Sequence, residues 1–244
     1  MPQTPVSSDV SQSTDEPLSG FVVAIDGPSG SGKSSVSKQV ARALGYAYLD
    51  TGAMYRALTW WCLDRGIDLD DPNAVTEAAE GFPLTIGTDP DHPHVAVAGT
   101  DVAAAIRETR ISTQVSKVAT VIPVRELMRR LQRDLVSEAG AARGGVVVEG
   151  RDITTVVTPD APVRILLTAS EEARLARRAK ELHGDAEAAS VDATRSQVVD
   201  RDRADSTVSQ FTVAADGVTT LDTSDLDFEG SVRAVLQVVA AAQG

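Results

Sequence analysis

Several things are scarce in this chain, and each scarcity excludes a class of protein. There is one cysteine, Cys62, so an intramolecular disulfide is excluded and a reducing, cytoplasmic setting is expected. Its neighbours Trp60, Trp61 and Leu63 mark it as a buried spectator rather than a nucleophile. No apolar run approaches the roughly 18 residues that a membrane span needs, so no membrane partner is expected. Positive charge is in deficit: Lys and Arg total 23 against 35 Asp and Glu, a formal net charge of −12, with no long basic run. A polyanion is repelled overall, and no nucleic-acid partner is expected. Asparagine occurs once, at Asn73, followed by Ala74, so the Asn-Lys-x-Asp guanine reader of GTPases is missing.

What is present is globular. At 244 residues, 42% hydrophobic and 24% charged, the chain is long and apolar enough for an ordered core. Residues 1–19 are rich in Ser, Thr, Pro and Asp and lack the basic start and apolar stretch of a signal peptide; they are expected to form a disordered leader. Residues 20–244 then read as one domain. Phe21 to Asp26 is a continuous apolar run suited to a strand buried on both faces, and similar runs recur at Ala47 to Asp50, Val146 to Glu149, Val163 to Thr168 and Val218 to Asp222. Helical stripes separate them. Val36, Val40, Ala43 and Leu44 share a face before Gly45. Val124, Leu127, Met128, Leu131 and Leu135 share another between Pro123 and Ala139, with Gly140 as the expected stop. Val232, Val235, Leu236 and Val239 form the last. Alternating strands and helices predict an α/β fold with a mainly parallel sheet covered on both sides. Residues 64–118 break the rhythm and predict an inserted subdomain with a small antiparallel sheet at Leu84 to Ile86 and Val95 to Val97. A helix from near Ser170 and a polar loop at 184–192 predict a lid over about 170–192.

The strongest motif is Gly27-Pro28-Ser29-Gly30-Ser31-Gly32-Lys33-Ser34, a match to G-x-x-x-x-G-K-[ST] that follows a buried strand and opens an amphipathic helix. Glycines let successive N–H groups point at phosphate oxygens, and the helix N-terminus favours the anion. Residues 27–34 with Ser35 are therefore the expected ATP site. Lys33 carries positive charge toward the transferring phosphoryl group, and the Ser34 hydroxyl is the expected Mg²⁺ ligand.

A second anion needs its own cations. Arg56 follows the turn Asp50-Thr51-Gly52-Ala53-Met54-Tyr55, and Arg151 follows the strand ending at Glu149. Turns after strand ends are where open parallel sheets bind ligands, and a guanidinium fork suits phosphate. Arg125 opens the helix after Pro123. Arg201 and Arg203 lie in Asp200-Arg201-Asp202-Arg203-Ala204-Asp205, where Arg201 with Asp205 reads equally well as an i,i+4 surface pair. Asp152 reads either as an acceptor for an exocyclic amino group or as a helix N-cap. Arg174, Arg177 and Arg178 share one helical face, either closing on ATP phosphates or pairing with Glu171 and Glu181. The string Asp227-Phe228-Glu229-Gly230 resembles a GTPase switch motif by coincidence.

Taken together, residues 21 to about 240 resemble the bacterial cytidylate kinases, within the P-loop nucleoside monophosphate kinases. The resemblance is carried by the loop at 27–34, by Asp50 to Arg56, and by Gly150-Arg151-Asp152-Ile153-Thr154-Thr155-Val156-Val157. It implies a P-loop fold with a five-stranded parallel core, an enlarged monophosphate-binding insertion and a short lid. It implies transfer from ATP, with Mg²⁺, to CMP or dCMP, by a monomer. By position it makes Thr51, Arg56 and Arg151 holders of the acceptor phosphate, and Ser116, Arg125 and Asp152 readers of cytosine. Arg201 and Asp205 become holders of the pentose, and Arg174 and Arg178 lid arginines that join Lys33 and Arg151 in catalysis. The chain departs from the family pattern at Thr154, where glycine is usual, and at Val208, where arginine is usual; Arg203 is the candidate replacement for that arginine. The alternatives are a P-loop kinase for another small acceptor such as UMP or shikimate, and a nucleotide-binding module without catalysis.

Overall fold

The computed structural model describes residues 18–184 and 188–244. The elements run β1 (Phe21–Asp26), α1 (Lys33–Leu44), β2 (Ala47–Asp50), α2 (Thr51–Asp64), α3 (Pro72–Glu80), β3 (Leu84–Ile86), β4 (Val95–Val97) and β5 (Thr100–Asp101). They continue with α4 (Thr109–Ser112), α5 (Val115–Ala119), α6 (Ile122–Arg143), β6 (Gly145–Gly150), β7 (Val163–Thr168), α7 (Glu171–His183), α8 (Ala188–Asp205), β8 (Thr219–Asp222) and α9 (Phe228–Gln243). A parallel sheet of five strands, in the order β2-β6-β1-β7-β8, forms the middle layer.

Alternation along each strand explains why both faces are covered. Val22 and Ala24 of β1, Leu49 of β2 and Val146 and Val148 of β6 point to one side, where Met54 and Leu58 of α2 and Val124, Met128 and Val136 of α6 meet them. Val23, Ile25, Tyr48 and Val147 point to the other, against Val36 and Val40 of α1 and Val235 and Val239 of α9. Cys62 is buried in the first of these clusters, and burial pushes its thiol up to about 11. The stretch 64–118 holds a separate antiparallel sheet, β3-β4-β5.

Register is what places the site. Asp50 lies beside Glu149, Ile25 also beside Glu149, and Asp26 beside Gly150. The carboxyl ends of three adjacent strands thus deliver three acidic side chains and the phosphate loop to one edge of the sheet.

Four expectations need correction. The segment after Asp50 is the first turn of α2, not a free turn: the Asp50 carboxylate accepts the Ala53 N–H at 2.8 Å as its N-cap. Gly140 does not end its helix, since α6 runs on to Arg143 and Gly144 ends it in the left-handed conformation. Gly140 is required for close approach instead, because a Cβ there would lie 2.0 Å from the Ser19 carbonyl oxygen. Leu18 packs against the core beside that crossing, so the ordered chain begins before residue 20. Residues 1–17 of the expected leader lie outside the described residues. The polar stretch 184–192 is largely helical: α8 begins at Ala188, and 185–187 lie outside the described residues. Among the described residues no helix is long and apolar enough to cross a membrane.

An alanine in an ordinary helix interior is better than glycine by roughly 1 kcal/mol. Gly140→Ala is expected to do the opposite and cost about 1–3 kcal/mol, because the Leu18–Gly20 backbone has to move. Thermal unfolding of the variant against the parent measures the sign.

Candidate active site

The loop after β1 is packed from both sides. A Cβ on Gly27 would meet the Leu167 carbonyl oxygen at 2.2 Å, and one on Gly30, whose φ is +75°, would meet that of Arg174 at 2.6 Å. Both glycines are therefore needed for fit as well as for conformation, and α7 lies directly on the phosphate loop. Gly32 precedes α1, so Lys33, Ser34 and Ser35 form its first turn.

Lys33 extends to Glu149 at the end of β6, with Nζ 3.9 Å from Oε2. Burial lowers the lysine's pKa and Glu149 opposes that shift. Burial raises the Glu149 carboxyl, helped by Asp50 and opposed by Lys33 and by a hydrogen bond with Ser34. Tyr48 also donates its hydroxyl to Glu149 at 3.1 Å. Ser34 and Glu149 are thus adjacent hard oxygen donors at the mouth of the loop. Mg²⁺ typically takes one or two protein oxygens and otherwise waters and substrate phosphates, and this pair fits that demand.

The residues expected on the acceptor side gather on the same edge. Thr51 donates to the Glu149 carbonyl at 2.8 Å, and Arg56 Nη2 donates to Asp50 Oδ2 at 2.9 Å. Burial works against ionisation of Asp50, but Arg56 and the Ala53 N–H hold its carboxyl below the usual range. Arg125 Nη2 donates to Asp152 at 2.5 Å and to Ser209 Oγ at 2.9 Å. Asp152 makes no side-chain cap, so its alternative reading as an N-cap is not what the structure shows. Burial raises its carboxyl, with Arg125 opposing. Ser116 donates to Asp205 Oδ1 at 2.7 Å. Arg201 Nε stands 3.7 Å from Asp205, and burial with the neighbouring Arg151 and Arg56 pulls its guanidinium down to about 9.

Arg151 is the most committed cation. Nη2 donates to Ser29 Oγ at 2.6 Å and lies 2.9 Å from Asp202 Oδ1; Nη1 lies 3.0 Å from Asp205 Oδ2 without hydrogen-bond alignment. The Phe211 ring, fully buried, lies 4.4 Å from its guanidinium carbon. Of the three arginines on α7, Arg174 donates to the Ser29 carbonyl at 2.9 Å and to Asp202 at 2.5 Å. Arg177 donates to the Ser31 carbonyl at 3.1 Å and to the Thr223 carbonyl at 2.5 Å. Arg178 lines the cavity. The contacts on the phosphate loop and on Arg151 therefore come from α7 and from α8 as far as Asp205.

One cavity of about 710 Å³ is lined by Ser29, Lys33, Ser34, Thr51, Arg56, Arg125, Arg151, Asp152, Arg178, Arg201 and Asp205. Sequence reasoning gave no role to Phe211 or Asp202, both of which brace predicted residues, while Arg177, read there with Arg174 and Arg178, binds the Ser31 carbonyl; Phe211 stood out only as one of four phenylalanines. Arg203 does not enter the site: its side chain is 79% exposed and pairs with Asp200 at 3.8 Å. Near Val208 the structure instead uses Ser209 on Arg125 and Phe211 under Arg151. Asp227 caps α9 by accepting the Gly230 N–H at 2.6 Å, which explains the switch-like string structurally.

Asp26 is a further unpredicted brace. Its buried carboxylate accepts the N–H groups of Ile153 and Thr154 at 2.9 and 2.8 Å, and the Thr154 hydroxyl at 2.6 Å. Those donors open a π-helical turn, Ile153–Val157, directly after Arg151 and Asp152. The Thr154 departure from the family pattern thus adds a hydrogen bond inside the protein.

A parallel sheet with a phosphate loop at its carboxyl edge, facing a second set of arginines under a helical arm, defines a P-loop kinase. The sequence model of the cytidylate kinases matches residues 23–241, and the chain belongs to that family. It is 50% identical to the cytidylate kinase of Streptomyces avermitilis over 219 residues, covering 89% of this chain and 92% of that one. It is 47% identical to the cytidylate kinase of Rhodococcus opacus over 228 residues, covering 93% and 97%.

Burial raises Asp26 to about 6 from 3.8, with the Thr154 bonds opposing. A raised folded-state value stabilises below the unfolded pKa, and that stabilisation is lost as pH rises through about 6. The stability of the parent relative to Asp26→Asn is therefore expected to increase by about 1.4 kcal/mol between pH 7 and pH 5. Denaturant titrations of both proteins at the two pH values test it.

Proposed function

We propose that this chain transfers the γ-phosphoryl group of ATP to CMP and dCMP, using the residues gathered in the cavity. The observation that carries the reading is that cavity itself. It joins the phosphate loop from Ser29 to Ser35 to a second constellation of Thr51, Arg56, Arg125, Asp152 and Arg151, which supports binding of a donor and an acceptor phosphate side by side.

In this reading the loop amides of 27–35 and Lys33 hold the ATP phosphates, and Ser34 with Glu149 supports Mg²⁺. When bound, Mg²⁺ neutralises phosphate charge. Arg56 and Arg151 hold the acceptor phosphate in line, Arg125 and Asp152 read the base with Ser116 beside them, and Arg201 and Asp205 hold the sugar. Arg174 and Arg178 bring positive charge from the arm. The nucleophile is a phosphate oxygen, already ionised near neutral pH, so no strong general base is required. The site's work is positioning and charge neutralisation, and closure of the arm excludes water. Residues 64–118 serve as the monophosphate-binding insertion, and α7 with α8 as the lid. We read the protein as a monomer. The lone buried cysteine suits the cytoplasm, and the acidic balance argues against nucleic-acid partners.

Lys33→Ala is expected to lower CDP formation by at least ~10²-fold while the thermal melt stays cooperative. Near-parent turnover would overturn the assignment of Lys33. The acceptor is tested with a panel of CMP, dCMP, UMP and AMP, on which CMP and dCMP are expected to lead. Asp152→Asn removes a carboxylate suited to the cytosine amino group, so the CMP-to-UMP ratio of kcat/KM is expected to fall by roughly 5–150-fold. An unchanged ratio would remove Asp152 from base reading.

A further inference from the structure

Asp202 carries more of the site than its place in a charged helix announces. Its side chain is largely buried, and its partners come from three separate elements. Oδ1 accepts the Ser29 N–H of the phosphate loop at 3.0 Å and faces Arg151 Nη2, from the turn after β6, at 2.9 Å. Oδ2 accepts Arg174 Nη1, from α7, at 2.5 Å. None of these is a neighbour on α8, so an i,i+4 surface pair does not describe it.

The contacts converge on one residue of the loop. Ser29 gives its N–H to Asp202, receives Arg174 on its carbonyl oxygen and receives Arg151 on its hydroxyl. Two guanidinium groups brought to the same serine repel each other unless an anion lies between them. Asp202 is that anion. Its two oxygens take one arginine each, which fixes the spacing of the pair, and the Ser29 amide fixes the carboxylate relative to the loop. A guanidinium has five N–H donors, and these contacts use only some of them, so donors remain for phosphate oxygens.

We infer that Asp202 is a positioning residue for phosphoryl transfer: a carboxylate on α8 that sets Arg151 and Arg174 together against Ser29 when the arm is closed. This rests on the phosphoryl-transfer reading given above. It assigns Asp202 no contact with the reacting atoms. Its effect runs through two arginines whose donors are used fully only when charge develops on the transferring group. Losing it therefore lowers kcat more than it weakens binding.

The test compares parent, Asp202→Asn, Asp202→Glu and Asp200→Asn, with CMP and ATP. Asp200 is an exposed residue of the same helix that pairs with Arg203, and controls for removing charge from α8. Asparagine keeps the shape of aspartate, and a thermal melt of each variant checks folding. The expected result is a kcat for Asp202→Asn lower by about 10²-fold, with both KM values within about threefold of the parent. ADP formed without acceptor should rise relative to CDP, because misplaced arginines no longer favour CMP over water. Asp202→Glu should recover part of kcat, and Asp200→Asn should match the parent. A kcat for Asp202→Asn within about threefold of the parent overturns the inference. So does a rise in KM alone, or a tighter KM for ATP with undiminished kcat, which would make Asp202 a competitor of phosphate. A parent that forms no CDP from any acceptor would instead defeat the kinase reading, and this inference with it.

Discussion

A site for two phosphorylated ligands must gather many positive charges in a small volume, and their mutual repulsion is the constraint on which this structure depends. Like charges about 4 Å apart repel by roughly 4 kcal/mol at the effective dielectric of a partly buried site. The chain answers with carboxylates beside five of the cations around the loop. Lys33 has Glu149, Arg56 has Asp50, Arg125 has Asp152, Arg174 has Asp202, and Arg151 lies between Asp202 and Asp205. These pairs are poor evidence of stability, since desolvating two charges offsets most of their attraction. Their value is geometric: each arginine is held in one orientation, with some of its donors left for phosphate.

This pairing reconciles the acidic composition with an anionic substrate. The excess of Asp and Glu is read as a global repulsion, yet a good part of it is spent beside arginines of the site. The local field is then set by which donors point into the cavity, rather than by the count over the chain. Sheet register makes the arrangement reproducible. Asp50 and Glu149 share a face because β2 and β6 are parallel neighbours, Asp26 lies beside Gly150 on the opposite face, and a slip of one residue in a strand would turn its carboxylate to the wrong side.

What could be read from the sequence was what is local. The phosphate loop, the strand runs and the arginines after strand ends depend on neighbours a few residues away, and they stand in the structure where their spacing put them. The segment after Asp50 was misread as a turn because its cap and its helix use the same residues. Gly140 was misread as a stop because the reason for it, the Ser19 backbone, crosses from 121 residues earlier in the chain. Phe211, Asp26 and Asp202 were missed for the same reason. Asp26 reaches Thr154 across 128 residues and Asp202 reaches Ser29 across 173, and no periodicity carries such a pairing. Arg203 was proposed on proximity in sequence to Val208, whereas helix geometry turns it to solvent.

The turn after β6 shows how these long-range pairings act together. Arg151 and Asp152 take up positions that an ordinary helix start would not give, because the chain enters a π-helical turn at Ile153. That turn persists because Asp26 binds its first two amides, and Asp26 is fixed in turn by the strand that leads into the phosphate loop. One carboxylate therefore ties the strand that leads into the phosphate loop to the turn after β6. Asp202 ties the loop itself to the same turn, through Ser29 and Arg151. The first tie is buried and belongs to the sheet; the second is carried by a helical arm. Arg151 is thus tied to the phosphate loop through the sheet on one side and through a helix, α8, on the other. In-line transfer between two bound nucleotides depends on holding both segments in one geometry.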